Sequence, residues 1–207
     1  MYLPPHFIED RLEVQHGLIR ARPLGLLVSH SDAGLQADAV PFLLDDTASP
    51  LGTLRAHFAR ANSHLLGLNE RSEVMIVFQG ENAYISPSWY PTKADSGKVV
   101  PTWNYVVVEA WGHPRVMDDS RFIAAQIRAL TDAHESTRQH PWQVDDAPSE
   151  FIAAQMRAIV GLEIEITRLA GKWKTSQNRT ERDRAGVRAG LATEGPHAAA
   201  MAALIPV

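Results

Sequence analysis

The chain has 207 residues, with 20 Lys and Arg against 24 Asp and Glu, a net charge of −4 and no cysteine. At 45% apolar and 21% charged residues it has the composition of a soluble globular protein. Lack of Cys excludes disulfide scaffolds, thiolate metal sites, iron–sulfur clusters and thiol nucleophiles, so redox chemistry would need a borrowed cofactor, and the mild acidity argues against a protein that coats nucleic acid.

Residues 1–10 carry two prolines and two acids where a signal peptide would show a basic start and an apolar run, and the longest apolar stretch, 198–207, is about half a membrane span. The expectation is a cytoplasmic protein with no membrane contact. Helical spacing of Phe7, Ile8, Leu12, Leu18 and Ile19 predicts a helix over 7–19 that Pro23 stops. A hairpin follows, with apolar runs at 24–29 and 35–44 about a polar turn at 31–34. Residues 53–57 predict a short strand and 59–68 a helix. The run Val74-Met75-Ile76-Val77-Phe78 predicts a central strand, a tight turn is expected at 79–82, and a short strand at 83–85.

Residues 89–98 read as a loop and 99–117 as a long strand, with Trp103, Tyr105, Val107 and Glu109 on one face and Asn104, Val106, Val108 and Ala110 on the other. Beyond it, Asp118 or Asp119 can cap a helix to about 133, and a second helix is expected over 149–160. Leu162, Ile164 and Ile166 alternate with polar residues as in a half-exposed strand; 179–191 reads as helix, and 194–207 as an Ala-rich tail that frays. Strands in succession with few helices between them favour an antiparallel barrel, mainly β with helices packed outside, over a doubly wound sheet.

Three stretches concentrate side chains that stack and donate. His57-Phe58-Ala59-Arg60-Ala61-Asn62 falls at a predicted strand-to-helix junction, where Arg60 is either a bidentate phosphate clamp or a surface cation. Tyr84-Ile85-Ser86-Pro87-Ser88-Trp89-Tyr90 and Val100-Pro101-Thr102-Trp103-Asn104-Tyr105 supply hydroxyls, an amide and aromatic rings. That mixture suits a flat heteroaromatic ligand with a phosphate tail, and equally a core with aromatic residues at its strand ends. His57 and His64 stand seven residues apart without a third ligand, so no metal site is expected. Without a Walker loop, a Gly-x-Gly-x-x-Gly or a nucleophile elbow, a hydrolase is not expected.

These three strings, with Lys172-Trp173-Lys174-Thr175-Ser176-Gln177-Asn178-Arg179, the opening Met1-Tyr2-Leu3-Pro4 and the stretch Ile159-Val160-Gly161-Leu162-Glu163-Ile164, closely resemble the PaiB family of FMN-binding negative transcriptional regulators. Thr175 departs from the Leu expected there. The resemblance implies an FMN-binding split β-barrel, related to pyridoxamine-phosphate oxidase and flavin reductases, that forms a homodimer with flavin in the groove between two chains. It makes residues 1–207 a single domain, with the barrel mostly at 20–118 plus a strand near 161–169, and helical additions at 119–160 and 178–193.

Matched to the motifs, Arg60 and Asn62, helped by Ser88 or Thr102, fall at the FMN phosphate, a dianion that favours Arg and hydroxyl donors. Trp103 and Asn104 fall near the isoalloxazine edge and Tyr84 or Trp89 along the wall, with His57, Ser86, Lys174 and Gln177 completing the set. Between Arg168 and Arg188, seven cations stand against two acids, a local +5 that is a candidate DNA contact, a flavin-directed cluster or a solvated helix face. The leading reading is a dimeric FMN-binding regulator in which flavin is structural or a redox sensor, a reading that leans away from an enzyme without deciding the point. The alternatives are a flavin-dependent oxidoreductase and a split barrel holding haem on His57 or His64.

Overall fold

In the computed structural model, which describes residues 1–32 and 34–207, the first half of the chain forms β1 (Ile8–Glu9), α1 (Leu12–Ala21), β2 (Leu24–Ser31), β3 (Gly34–Pro41), β4 (Leu43–Asp45), β5 (Thr53–Ala59) and β6 (Val74–Ile85). There follow α2 (Thr92–Ser96), β7 (Thr102–Met117), α3 (Ser120–Glu135), α4 (Ser149–Arg157), β8 (Ile159–Lys174), α5 (Glu181–Ala192) and α6 (Pro196–Ala203). The strands hydrogen-bond in the order β3-β2-β6-β7-β8-β5-β4, with β1 also on β8. Every pair of known register is antiparallel, as the run of consecutive strands predicts. Of the turn expected at 31–34, Ala33 lies outside the described residues. Among the described residues no helix is long and apolar enough to cross a membrane.

The chain divides into two compact units, residues 1–18, 79–108 and 170–207, and residues 19–78 and 109–169. In the second unit the core faces of β2, β5, β6 and β8 bury Leu27, Leu54, Ile76, Leu162 and Ile164 completely. Phe42 meets Phe78 edge-on at 5.9 Å. The Asp119 carboxylate caps α3 by accepting from the backbone N–H of Arg121 at 2.6 Å and of Phe122 at 3.3 Å, a contact worth about 1 kcal/mol. In the first unit, Ala83, Ile85 and Tyr90 pack against Val187, Leu191, Met201 and Ile205.

Residues 8–9, expected in a helix, form β1, residues 92–96, expected in a loop, form α2, and three larger expectations also come out differently. Residues 59–68 are not a helix: β5 pairs with β8 as far as Ala59↔Ile159, and Asn62 then caps a 3₁₀ turn, Ser63–Gly67. Asn and Ser there bond to nearby backbone more readily than they continue a helix, so no helix start stands beside Arg60. The turn expected at 79–82 is instead the middle of β6; Gly80 is placed where an added Cβ would meet Leu18 and Val106, a close approach that needs no bend. The tail does not fray, because Met201 and Ile205 are 0% and 3% exposed, burial that stabilises by roughly 1.5–3 kcal/mol per side chain.

A buried polar relay ties the β2–β3 hairpin to the Ser63–Gly67 turn. Ser29 Oγ lies 2.6 Å from His64 Nε2, and His64 Nδ1 lies 2.8 Å from Asp38 Oδ2, which also accepts from the Asn62 amide at 3.1 Å. With the proton on Nδ1 facing the carboxylate, Nε2 accepts from the serine hydroxyl. The order serine, imidazole, carboxylate is that of a nucleophilic triad, but Ser29 is 3% exposed on the core face of β2, where no substrate reaches it. His64→Phe keeps a ring and strands the buried hydroxyl, and is expected to cost about 1–3 kcal/mol in urea unfolding. His64 and Asn62 hold the Asp38 carboxyl below its usual pKa, so its contribution is present at neutral pH and is lost as the pH falls through that depressed value.

Candidate functional site

The motif at the end of β8 folds back onto the start of β7. Lys174 Nζ donates to Thr102 Oγ1 and to the Trp103 carbonyl, each at 2.5 Å, leaving its third N–H for another acceptor. Burial, then the neighbouring charges of Lys172 and Arg179, hold the Lys174 ammonium below the usual lysine range. The buried Asn104 amide donates to Ser176 Oγ at 2.9 Å. Ser176 holds a left-handed backbone at φ +66°, which the Gln177 side chain helps to close by accepting from the Thr175 N–H at 2.8 Å and donating to the Trp173 carbonyl. The departure at Thr175 is 1% exposed and sits inside this turn.

Two clefts flank Trp103 in the first unit. One, of about 480 Å³, is lined by Gln79, Gly80, Asn82, Trp103, Tyr105, Val106 and Val107. Two ammonium groups lie against its Tyr105 ring, Lys172 at 5.1 Å and Lys174 at 5.9 Å from the centroid. The other, of about 540 Å³, is lined by Asn82, Ala83, Tyr84, Ser86, Trp89, Trp103 and, from α5 and α6, Leu191, Glu194, His197 and Ala198. Tyr84 and Trp103 meet there edge to face at 6.0 Å. Trp89 is seated in a notch on α5, because a Cβ at Gly186 would overlap its carbonyl and one at Gly190 its ring.

The expected site residues therefore distribute unevenly. Thr102, Trp103, Asn104, Lys174 and Gln177 gather at one corner of the first unit, and Tyr84, Ser86, Trp89 and Trp103 line the second cleft. Ser86 is spent capping the turn Pro87–Trp89, and the Ser88 hydroxyl lies 3.4 Å from Lys93 Nζ. His57, Arg60 and Asn62 belong to the second unit, where each has a partner. His57 Nδ1 lies 2.8 Å from Gln126 Oε1, and Asn62 bonds Asp38. The Arg60 guanidinium forks onto both oxygens of Asp118 at 2.8 and 2.7 Å and donates further to the carbonyls of Arg157 and Ile159. Local sequence did not single out Gln79, Gly80, Asn82, Tyr105, Glu194 or His197; Tyr105 stands within one of the three motifs, whereas the other five carry no local signal.

The +5 segment is spread over internal partners. Arg168 stacks on Trp111 at 3.8 Å, Lys172 donates to the Tyr2 carbonyl at 2.9 Å, and Arg179 lies 4.8 Å from the Tyr90 centroid. Arg182 pairs with Asp95 at 2.9 Å, while Arg184 and Arg188 reach the Pro206 carbonyl. Burial works against ionisation of Asp183, but the Thr92 hydroxyl and N–H and the Thr180 hydroxyl hold its carboxyl below the usual range.

The fold is that of flavin-binding split-barrel proteins. A FAD and haem binding protein from Mycobacterium smegmatis superposes with a TM-score of 0.60 at 15% identity, over 81% of this chain and 73% of that one. Residues 1–168 match the family described as "Putative FMN-binding domain", and the chain belongs to that family. An uncharacterised protein of Emericella nidulans is 34% identical over 96% of this chain and 93% of its own length. The Bacillus subtilis protein named protease synthase and sporulation protein PAI 2 is 28% identical over 99% of this chain and 96% of its own, in line with the PaiB resemblance. FMN is the cofactor of the family. The donor set fits it: ring walls from Trp103 and Tyr105 and carboxamides from Gln79 and Asn82 in a cleft within the 300–1,000 Å³ usual for such ligands, with the Lys174 ammonium 5.9 Å from the Tyr105 ring that lines it.

Proposed function

We propose that the chain is a homodimeric FMN-binding regulator in which flavin acts as a sensor, and that FMN takes the cleft beside Tyr105 with its anionic end toward Lys174. The observation that carries this reading is the cation pair against the Tyr105 ring, which itself lines a cleft with no carboxylate in its lining. Arg60 stays on Asp118 in this reading, and Lys174 with Thr102 supplies the charged corner. Bound FMN would supply one- or two-electron chemistry. The same lining offers no carboxylic acid, imidazole or thiol to move a proton, which favours sensing over turnover.

The dimer is supported by an apolar sheet face in the second unit. Rows formed by Ala39, Leu26 and Val77 and by Ala37, Val28 and Met75 cross three paired strands, and all six side chains stay exposed or half-buried. The regulatory role draws on the name of the Bacillus relative. Direct DNA contact through Arg168 to Arg188 is not part of the proposal, since those cations are engaged within the protein.

Three measurements test the reading. Lys174→Ala is expected to weaken FMN about tenfold or more in a fluorescence titration, since a charge-assisted contact is worth about 1.5–3 kcal/mol. Wild-type affinity should also decline as the pH rises through the lowered Lys174 value, because the neutral amine no longer attracts phosphate; unchanged affinity in the variant removes Lys174 from the site. Light scattering after size exclusion should give a dimer for the wild type and a folded monomer for Leu26→Glu. Under anaerobic conditions, NADH and NADPH should reduce the bound flavin no faster than free FMN; rapid turnover would replace the sensor by an oxidoreductase.

A further inference from the structure

The cleft on the other side of Trp103 has the opposite electrostatic character. Its lining includes no Lys or Arg, and its one charged group is the Glu194 carboxylate, exposed at the end of α5. Glu194 forms no side-chain ion pair or hydrogen bond among the described residues, and the same holds for the His197 imidazole and the Asn82 carboxamide. Tyr84 is 47% and Trp103 53% exposed, an unusual outlay of aromatic surface for residues this large. Trp89, the third ring, is fixed by the notch of Gly186 and Gly190.

We infer that this cleft, walled by Tyr84, Trp89 and Trp103 and edged by Glu194, binds a small flat organic cation. Ring faces attract a delocalised cation through their quadrupoles, an unpaired carboxylate fixes its charge, and both cost less to desolvate against such a ligand than against an ammonium ion. A phosphate-bearing ligand is disfavoured at the same place by Glu194 itself. Glu194 and His197 come from the segment after residue 168, where the family match ends, whereas the three rings lie within the matched range. The inference rests on the flavin reading in one respect only, that FMN occupies the neighbouring cleft and leaves this one open.

The test is calorimetric titration of the full chain with 1-methylquinolinium and, in parallel, with neutral quinoline and with FMN. The cation is expected to bind at least tenfold more tightly than quinoline. Glu194→Gln, at an exposed helix end where folding is not at stake, should weaken it about fivefold, the upper range for an exposed charge pair. Trp103→Ala should abolish detectable binding, with circular dichroism confirming the fold. No heat with the cation, equal binding of quinoline, or an unchanged constant in Glu194→Gln each overturns the site. The FMN titration keeps the two readings apart: cation binding in a chain that takes no flavin supports this site and removes the flavin reading, whereas FMN binding without cation binding overturns this site alone.

Discussion

The hydrogen bond from the Asn104 amide to the Ser176 hydroxyl is the constraint on which the first unit's chemistry depends. Both groups are buried, so either one unpaired would cost about 1–3 kcal/mol, and the pairing forces the chain after β8 to return to the start of β7. That return needs a sharp reversal, supplied by the left-handed backbone at Ser176 and the Gln177 side chain that spans it. Only then does Lys174 come under the Thr102 hydroxyl and the Trp103 carbonyl. The Lys-x-Lys-x-Ser-Gln-Asn-Arg motif is thus a folding device first, and it delivers a single partly buried ammonium with a free donor to the edge of an aromatic cleft.

A second consequence follows along β7. Because its residues alternate, fixing Asn104 inward fixes Trp103 and Tyr105 outward. Trp103 then separates two clefts of contrasting charge, one with Lys172 and Lys174 against Tyr105, the other with Glu194 at its rim. One indole forming a wall of both clefts is a direct route by which a ligand on one side could alter the stacking available on the other, with no displacement of backbone required.

Period-two patterns made β7 legible in the sequence, and a cap at Asp118 or Asp119 was legible because short-range rules decide it. What was not legible involved distance along the chain. Gly80 reads locally as a turn, and only the packing of Leu18 and Val106 explains why it lies inside a strand. The tail after Glu194 reads as frayed because its Ala-rich composition has little amphipathic pattern, whereas the core contacts of Met201 and Ile205 order it. The motifs located Thr102, Trp103, Asn104, Lys174 and Gln177 near one another, but spacing could not reveal that Arg60 is matched by Asp118, fifty-eight positions away.

Charge behaves in the same way. The +5 between Arg168 and Arg188 is correct as a count, yet a count does not say where the guanidinium groups point. Stacking on Trp111 and Tyr90, pairing with Asp95 and capping of the C-terminal carbonyls disperse five of those cations, and the remaining two are the lysines beside Tyr105. A polyanion such as DNA would have to draw several of these groups out of existing contacts at once, whereas a single phosphate at Lys174 displaces none. That difference supports the proposal of a small anionic ligand at Lys174, whose third N–H is not used by the Thr102 hydroxyl or the Trp103 carbonyl.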